Sequence, residues 1–161
     1  QDGRVRADGR SGGRGGAPRP GQQPRLVTPD LDTRARVHDL VVRFYREIVF
    51  DDLLAPVFGE VAEVDWTVHI PRLIDYWSGV LLGQPGYDGY MLTAHEHVHG
   101  LEPFEVELFD RWYQLFVRTV DAEWVGPIAE AAKRHASRMA AMLARRLLGV
   151  EWEAPDSVSS R

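Results

Sequence analysis

Apolar residues recur along this chain with a helical rather than a strand period. Val37, Leu40, Val41, Phe44, Tyr45 and Ile48 return every three or four residues, with Arg43, Arg46 and Glu47 on the other face. This spacing predicts a helix over about residues 33 to 50. Asp51-Asp52 ends it, and Leu53, Leu54, Pro56, Val57 and Phe58 predict a short apolar turn leading into a loop. Asp65 then reads as the N-cap of a second helix whose stripe is Trp66, Ile70, Leu73, Ile74, Trp77, Val80 and Leu81. Gly83-Gln84-Pro85-Gly86 breaks that helix, and residues 84 to 103 are predicted to be an irregular connection. A loop of that length inside a compact domain is usually functional. Helical spacing resumes from Pro103 through Phe104, Leu108, Phe109, Trp112, Leu115, Phe116 and Val120. A last helix over about 126 to 148 turns Ile128, Ala132, Met139, Leu143 and Leu147 inward and stops at Gly149. No stretch sustains period-two alternation, so the expected fold class is all-α.

The flanks differ from this core. Residues 1 to 30 are rich in Gly and Arg and hold almost nothing to bury, so a disordered tail is expected there. Residues 151 to 161 are expected to be a flexible C-terminal tail, which leaves one domain over about residues 31 to 150. At 161 residues the chain has room for one ordinary domain. A formal net charge of -5 gives a nucleic-acid partner no overall electrostatic support. The chain has no cysteine, so thiolate metal sites and cysteine nucleophiles are excluded and His and carboxylate are the strong ligands left. No apolar run approaches the ~18 residues that span a bilayer. The expectation is a cytoplasmic protein without a membrane partner.

Two chemistries compete for the histidines. His95, Glu96 and His99 match H-E-x-x-H, in which two histidines one helical turn apart bind zinc and the glutamate activates water. That mechanism needs a regular helix, and the surrounding Gly and Pro argue against one. A small zinc-binding helical protein or metalloprotease using this cluster is the alternative reading. The other use of such a histidine is axial ligation of haem iron. A porphyrin is a large apolar disc, and the helices supply a wall for it in Phe44, Phe58, Trp66, Leu73, Trp77, Trp112 and Phe116. Tyr45, His69 and His95 then stand as polar groups among those apolar ones.

Several motifs carry a resemblance to a known family. Phe44-Tyr45 is followed by Leu54, Pro56 and Phe58, then by Asp65-Trp66 with His69 three residues after the Trp. Tyr76-Trp77, Leu81-Leu82-Gly83, Tyr87-x-Gly89 with His95 eight residues beyond Tyr87, and Phe109-x-x-Trp112 before Leu115-Phe116 continue the series. As a set, over about residues 36 to 148, they resemble the truncated haemoglobins of the third group. The resemblance implies a two-over-two helical sandwich around haem b, with His95 as the proximal iron ligand. Tyr45, His69 and Trp112 would stabilise the distal ligand, and Arg72 would lie near a haem propionate. It implies small gaseous ligands (dioxygen, nitric oxide, carbon monoxide), a reductase to restore ferrous iron, a monomeric state, and nitric oxide or peroxide chemistry or redox sensing rather than oxygen delivery. Met91 stands where the family commonly has Pro, four residues before the proximal histidine. The stretch from His95 to Trp112 is also longer than usual, which leaves His97 and His99 open as alternative ligands.

Overall fold

The computed structural model describes residues 27–156; the Gly/Arg-rich segment over residues 1–26 and the last residues, 157–161, lie outside the described residues. Among the described residues five α-helices follow one another: α1 (Arg34–Val49), α2 (Trp66–Leu82), α3 (Met91–Leu101), α4 (Val106–Glu123) and α5 (Pro127–Leu148), with a π-helical turn at Val57–Val61 between the first two. Among the described residues there is no strand. The fold class is all-α, as the periodicity predicts. Helices α1 and α2 pack together, α4 and α5 pack together, and the two pairs meet through α1 on α4 and α2 on α5.

The helix ends follow from local chemistry. The Thr33 side chain accepts the Arg36 N–H at the start of α1, and Asp65 Oδ1 accepts from the Thr67 N–H at 3.0 Å and its hydroxyl at 2.7 Å at the start of α2. Gly83 and Gly149 close α2 and α5 in the left-handed conformation, at φ 66° and 68°. The α1 stripe read from the sequence is the buried one, Val37 through Ile48. On α5 the fully buried face is Ala129, Ala132, Ala136, Ala140, Leu143 and Ala144, while Ile128, Met139 and Leu147 are only half-buried. Small side chains let this helix approach its neighbours closely.

Three expectations are corrected. Residues 91–101 form helix α3 inside the stretch read as an irregular connection. Most of the Gly and Pro punctuation lies on either side of it, Gly100 sits in its last turn, and Met, Leu, Ala and Glu within it are good helix formers. Residues 27–30 belong to the domain: Asp30 accepts the N–H groups of Ile128 at 3.0 Å and Ala129 at 2.7 Å, capping α5 from almost a hundred residues away. Gly126 permits this, because a Cβ there would stand 2.4 Å from Asp30 Cγ. Trp152 is not part of a loose tail. It is 6% exposed, packs with Phe109, Leu143 and Ala144, and donates its indole N–H to Asp110 at 2.7 Å.

Candidate functional site

Helices α1 and α2 and the π-helical turn gather four rings. Tyr45 on α1 lies 5.7 Å from His69, 5.7 Å from Trp66 and 5.8 Å from Phe58, and Phe58 stacks on Trp66 at 6.0 Å. The unusual turn at 57–61 puts Phe58 in this group, with its wider hydrogen bond running from Ala62 N–H to the Val57 carbonyl at 2.9 Å. Leu73 follows His69 by one helical turn and packs, half-buried, against the core.

The polar groups of this cluster are short of partners. Tyr45 is 7% exposed, and burial alone pushes its phenol well above the usual tyrosine range, with no hydrogen bond contributing. The His69 imidazole is held below its ordinary value first by burial, then by the charges of His95 and Arg72. His69 and His95, on different helices, are therefore near enough for a proton on one to disfavour a proton on the other. Arg72 is exposed and adds positive charge beside His69.

His95 has a defined orientation. Its Nδ1 lies 2.7 Å from the Met91 carbonyl oxygen, one turn earlier in α3. A carbonyl can only accept, so Nδ1 carries the hydrogen and Nε2 is left with a lone pair. Burial lowers the His95 pKa, and the bond to Met91 offsets this only in part. A neutral, oriented imidazole of this kind suits a metal ligand, whose second nitrogen is normally tied to a carbonyl or carboxylate. The Met91 carbonyl supplies that tie in this chain.

The neighbouring histidines are otherwise engaged. His99 Nδ1 accepts the Phe104 N–H at 2.9 Å, closing the turn into α4, while His97 is exposed. Glu96 pairs with Arg146 at 2.9 Å. Although 95–99 are helical after all, no group of three or more His, Cys, Asp or Glu among the described residues can hold a metal ion. The zinc reading of His95, Glu96 and His99 thus lacks a ligand set.

The remaining sequence candidates separate into two layers. Phe44 stands between the cluster and α4, 5.0 Å from Tyr45 and 5.6 Å from Trp112, so Trp112 approaches the Tyr45 group across one ring. Trp77 and Phe116 are 2% and 1% exposed and stack on each other at 4.9 Å. Trp77 lies eight residues from His69, roughly 12 Å along α2. It is a core ring against α4 and α5.

The donor set fits a haem group. It combines an oriented neutral imidazole at His95, a second imidazole at His69 on α2, apolar walls, and the phenol of a buried tyrosine to which no protein hydrogen bond contributes.

The arrangement of helices is that of a truncated globin. A curated group 3 truncated hemoglobin from Campylobacter jejuni is 31% identical over 81 residues, which is 48% of this chain and 61% of that protein. The match thus spans less than two thirds of the relative's length. The crystal structure of group III truncated hemoglobin from Campylobacter jejuni superposes with a TM-score of 0.63 at 25% identity, covering 71% of this chain and 91% of that one. No family model matches the chain. In sequence and in fold alike, the chain is similar to these group III truncated haemoglobins, the family its motifs resemble.

Proposed function

We propose that this protein binds haem b through His95 and presents it to dioxygen and other small gaseous ligands. The observation that carries the reading is the 2.7 Å bond from His95 Nδ1 to the Met91 carbonyl, which fixes the tautomer and leaves Nε2 free to coordinate. The chain contains no cysteine for thioether attachment, so the group would be held noncovalently. Haem supplies, when bound, an iron centre that takes up small diatomic gases. Phe58, Trp66 and Leu73 would exclude water around it, and Arg72, a cation close enough to His69 to lower its pKa, would pair with a propionate.

Tyr45, His69 and Trp112 set the polarity of the opposite side. The Tyr45 hydroxyl and the Trp112 indole N–H are donors, and a donor in a dry pocket interacts strongly with a partly negative acceptor. Donors of this kind slow the release of a polarised gas. That property suits nitric oxide oxidation or peroxide chemistry, with an outside reductase, better than oxygen delivery. A pyridine haemochrome assay on the purified protein tests the cofactor, with the haem b spectrum expected. A colourless protein that refuses haemin would refute the proposal. Stopped-flow mixing of the oxygenated protein with nitric oxide tests the reaction by the rate of nitrate formation.

A further inference from the structure

Five rings run in contact from Trp112 on α4, which adjoins the Tyr45 cluster through Phe44, to the loop after α2. Trp112 lies nearly parallel to Phe116, with centroids 5.6 Å apart, and Phe116 nearly parallel to Trp77 at 4.9 Å. Trp77 meets Tyr76 edge-on at 5.7 Å, and Tyr76 meets Tyr87 at 5.1 Å. Tyr87 is partly exposed and folds back over Gly89, where a Cβ would stand 2.5 Å from its oxygen. His135 on α5 packs edge-on against Trp77 at 5.4 Å, and its Nε2 lies 2.7 Å from the Tyr76 hydroxyl oxygen.

Packing accounts for Trp77 and Phe116, which are core residues. It does not account for the Tyr76–His135 pair, because Phe and Leu would fill the same space without desolvating two polar groups. Burial, then Tyr87, raises the Tyr76 phenol, while burial, then Arg138, lowers the His135 imidazole. In the tautomer that carries its hydrogen on Nδ1, the neutral imidazole accepts from the phenol through Nε2, and Met139 Sδ at 3.5 Å is the hydroxyl's weaker alternative acceptor. A phenol that loses an electron becomes a strong acid, and it gives a neutral radical readily only where a base already holds its hydrogen. His135 Nε2 stands in that position.

We propose that Tyr76 is a redox-active tyrosine with His135 as its proton acceptor, and that the rings from Trp112 to Tyr87 carry oxidising equivalents from the pocket to the surface. The oxidant is hydrogen peroxide, which takes two electrons from the chain and two protons from solvent and leaves as two waters. Tyr76 gives one electron, which passes through Trp77 and Phe116 towards Trp112, and its proton moves to His135 Nε2. Tyr87 gives the second electron through Tyr76 and releases its proton to water. Two neutral phenoxyl radicals remain, and a small one-electron reductant such as ascorbate restores the phenols. The path spares the pocket residues from oxidation. It rests on the haem-binding reading for the place where peroxide reacts.

The test uses the full chain, with haem uptake established first by its absorption spectrum. The protein is mixed with equimolar hydrogen peroxide, frozen rapidly and examined by electron paramagnetic resonance, and oxidised residues are mapped by mass spectrometry. The wild type should give a tyrosyl radical that ascorbate removes. Tyr76→Phe should lose that signal and gain oxygen atoms on Trp77 and Trp112. His135→Leu, which keeps the phenol but removes the base, should weaken the signal, and Tyr87→Phe should leave the radical on Tyr76. A tyrosyl signal that survives Tyr76→Phe, or a wild type that forms none, overturns the proposal. A merely structural pair would lower the melting temperature of the variants and leave the radical and the oxidation map as they are. If the chain takes up no haem, the haem reading falls by itself. Photogenerated tris(bipyridine)ruthenium(III) then serves as the oxidant, and a radical yield indifferent to Tyr76→Phe overturns the relay.

Discussion

His95 and Met91 are joined one turn apart on α3 by a 2.7 Å bond from the imidazole Nδ1 to the backbone carbonyl. In a regular helix that carbonyl would accept only from a backbone N–H, and here it also orients a side chain. The bond explains how Met can stand where the related family commonly has Pro. Residue 91 contributes its carbonyl, which every amino acid possesses. It also distinguishes His95 from His99, whose Nδ1 accepts from the Phe104 N–H instead.

Removing the Tyr45 hydroxyl tests the distal donors. Tyr45→Phe keeps the ring volume and deletes one donor, and a hydrogen bond to a charged acceptor is worth roughly 1.5–3 kcal/mol. Dioxygen should leave the ferrous haem protein about ten- to a hundred-fold faster. Carbon monoxide develops little negative charge, so its release should change far less. Stopped-flow dissociation of both gases checks this, and equal acceleration of the two would assign Tyr45 a packing role only.

Acid should destabilise the haem-free protein through its buried histidines. The pKa values of His69 and His95 are lowered from 6.5 in the fold, first by burial. The unfolded chain therefore binds more protons than the native one below that value, and stability falls with pH. The loss should begin as pH drops below about 6.5 and be complete once the lowered folded values are passed. Urea titrations at neutral and mildly acidic pH measure it, and the double variant His69→Gln/His95→Gln should reduce the dependence over this window to the part that His135, also lowered by burial, contributes.

Asp30 predicts that the domain begins earlier than its composition suggests. Its carboxylate is partly buried, which alone would raise the pKa. The N–H groups of Ile128, Ala129 and Leu31, with Arg36, instead hold it below the usual value. Asp30→Ala deletes the α5 cap and should cost about 1–2 kcal/mol. Thermal unfolding should show a lower midpoint, while truncation that leaves Asp30 in place should not reproduce it.

Trp152 makes the corresponding prediction at the other end. Trp152→Ala removes a buried indole and its bond to Asp110, and should cost about 3–5 kcal/mol. An unchanged melting temperature would return residues 151–156 to a loose tail.

The helical stripes were legible because burial imposes a 3.6-residue period, and α1 follows its stripe almost residue for residue. Helix α3 was not, because its polar and histidine-rich sequence buries no residue fully and Gly100 within it, with the Gly and Pro around it, suggested a loop. Tyr45, His69 and His95 were singled out as polar residues among apolar ones and by family motif. The Met91 carbonyl leaves no trace in side-chain chemistry. Asp30 and His135 act on partners dozens of residues away, and no local pattern announces such a contact. Trp152 lies beyond a helix-ending Gly, where composition reads as tail and only the completed fold supplies a pocket.

The central claim is that His95 Nε2 is the ligand that holds haem, and a haemin titration of the wild type beside His95→Gly tests it most directly. The wild type should saturate at one haem per chain with a sharp Soret band. His95→Gly should bind weakly with a displaced band, and added imidazole should restore the wild-type spectrum by filling the vacated space, while His97→Ala and His99→Ala should match the wild type. A His95→Gly protein that titrates like the wild type without imidazole, or a His99→Ala protein that fails in its place, would contradict the assignment.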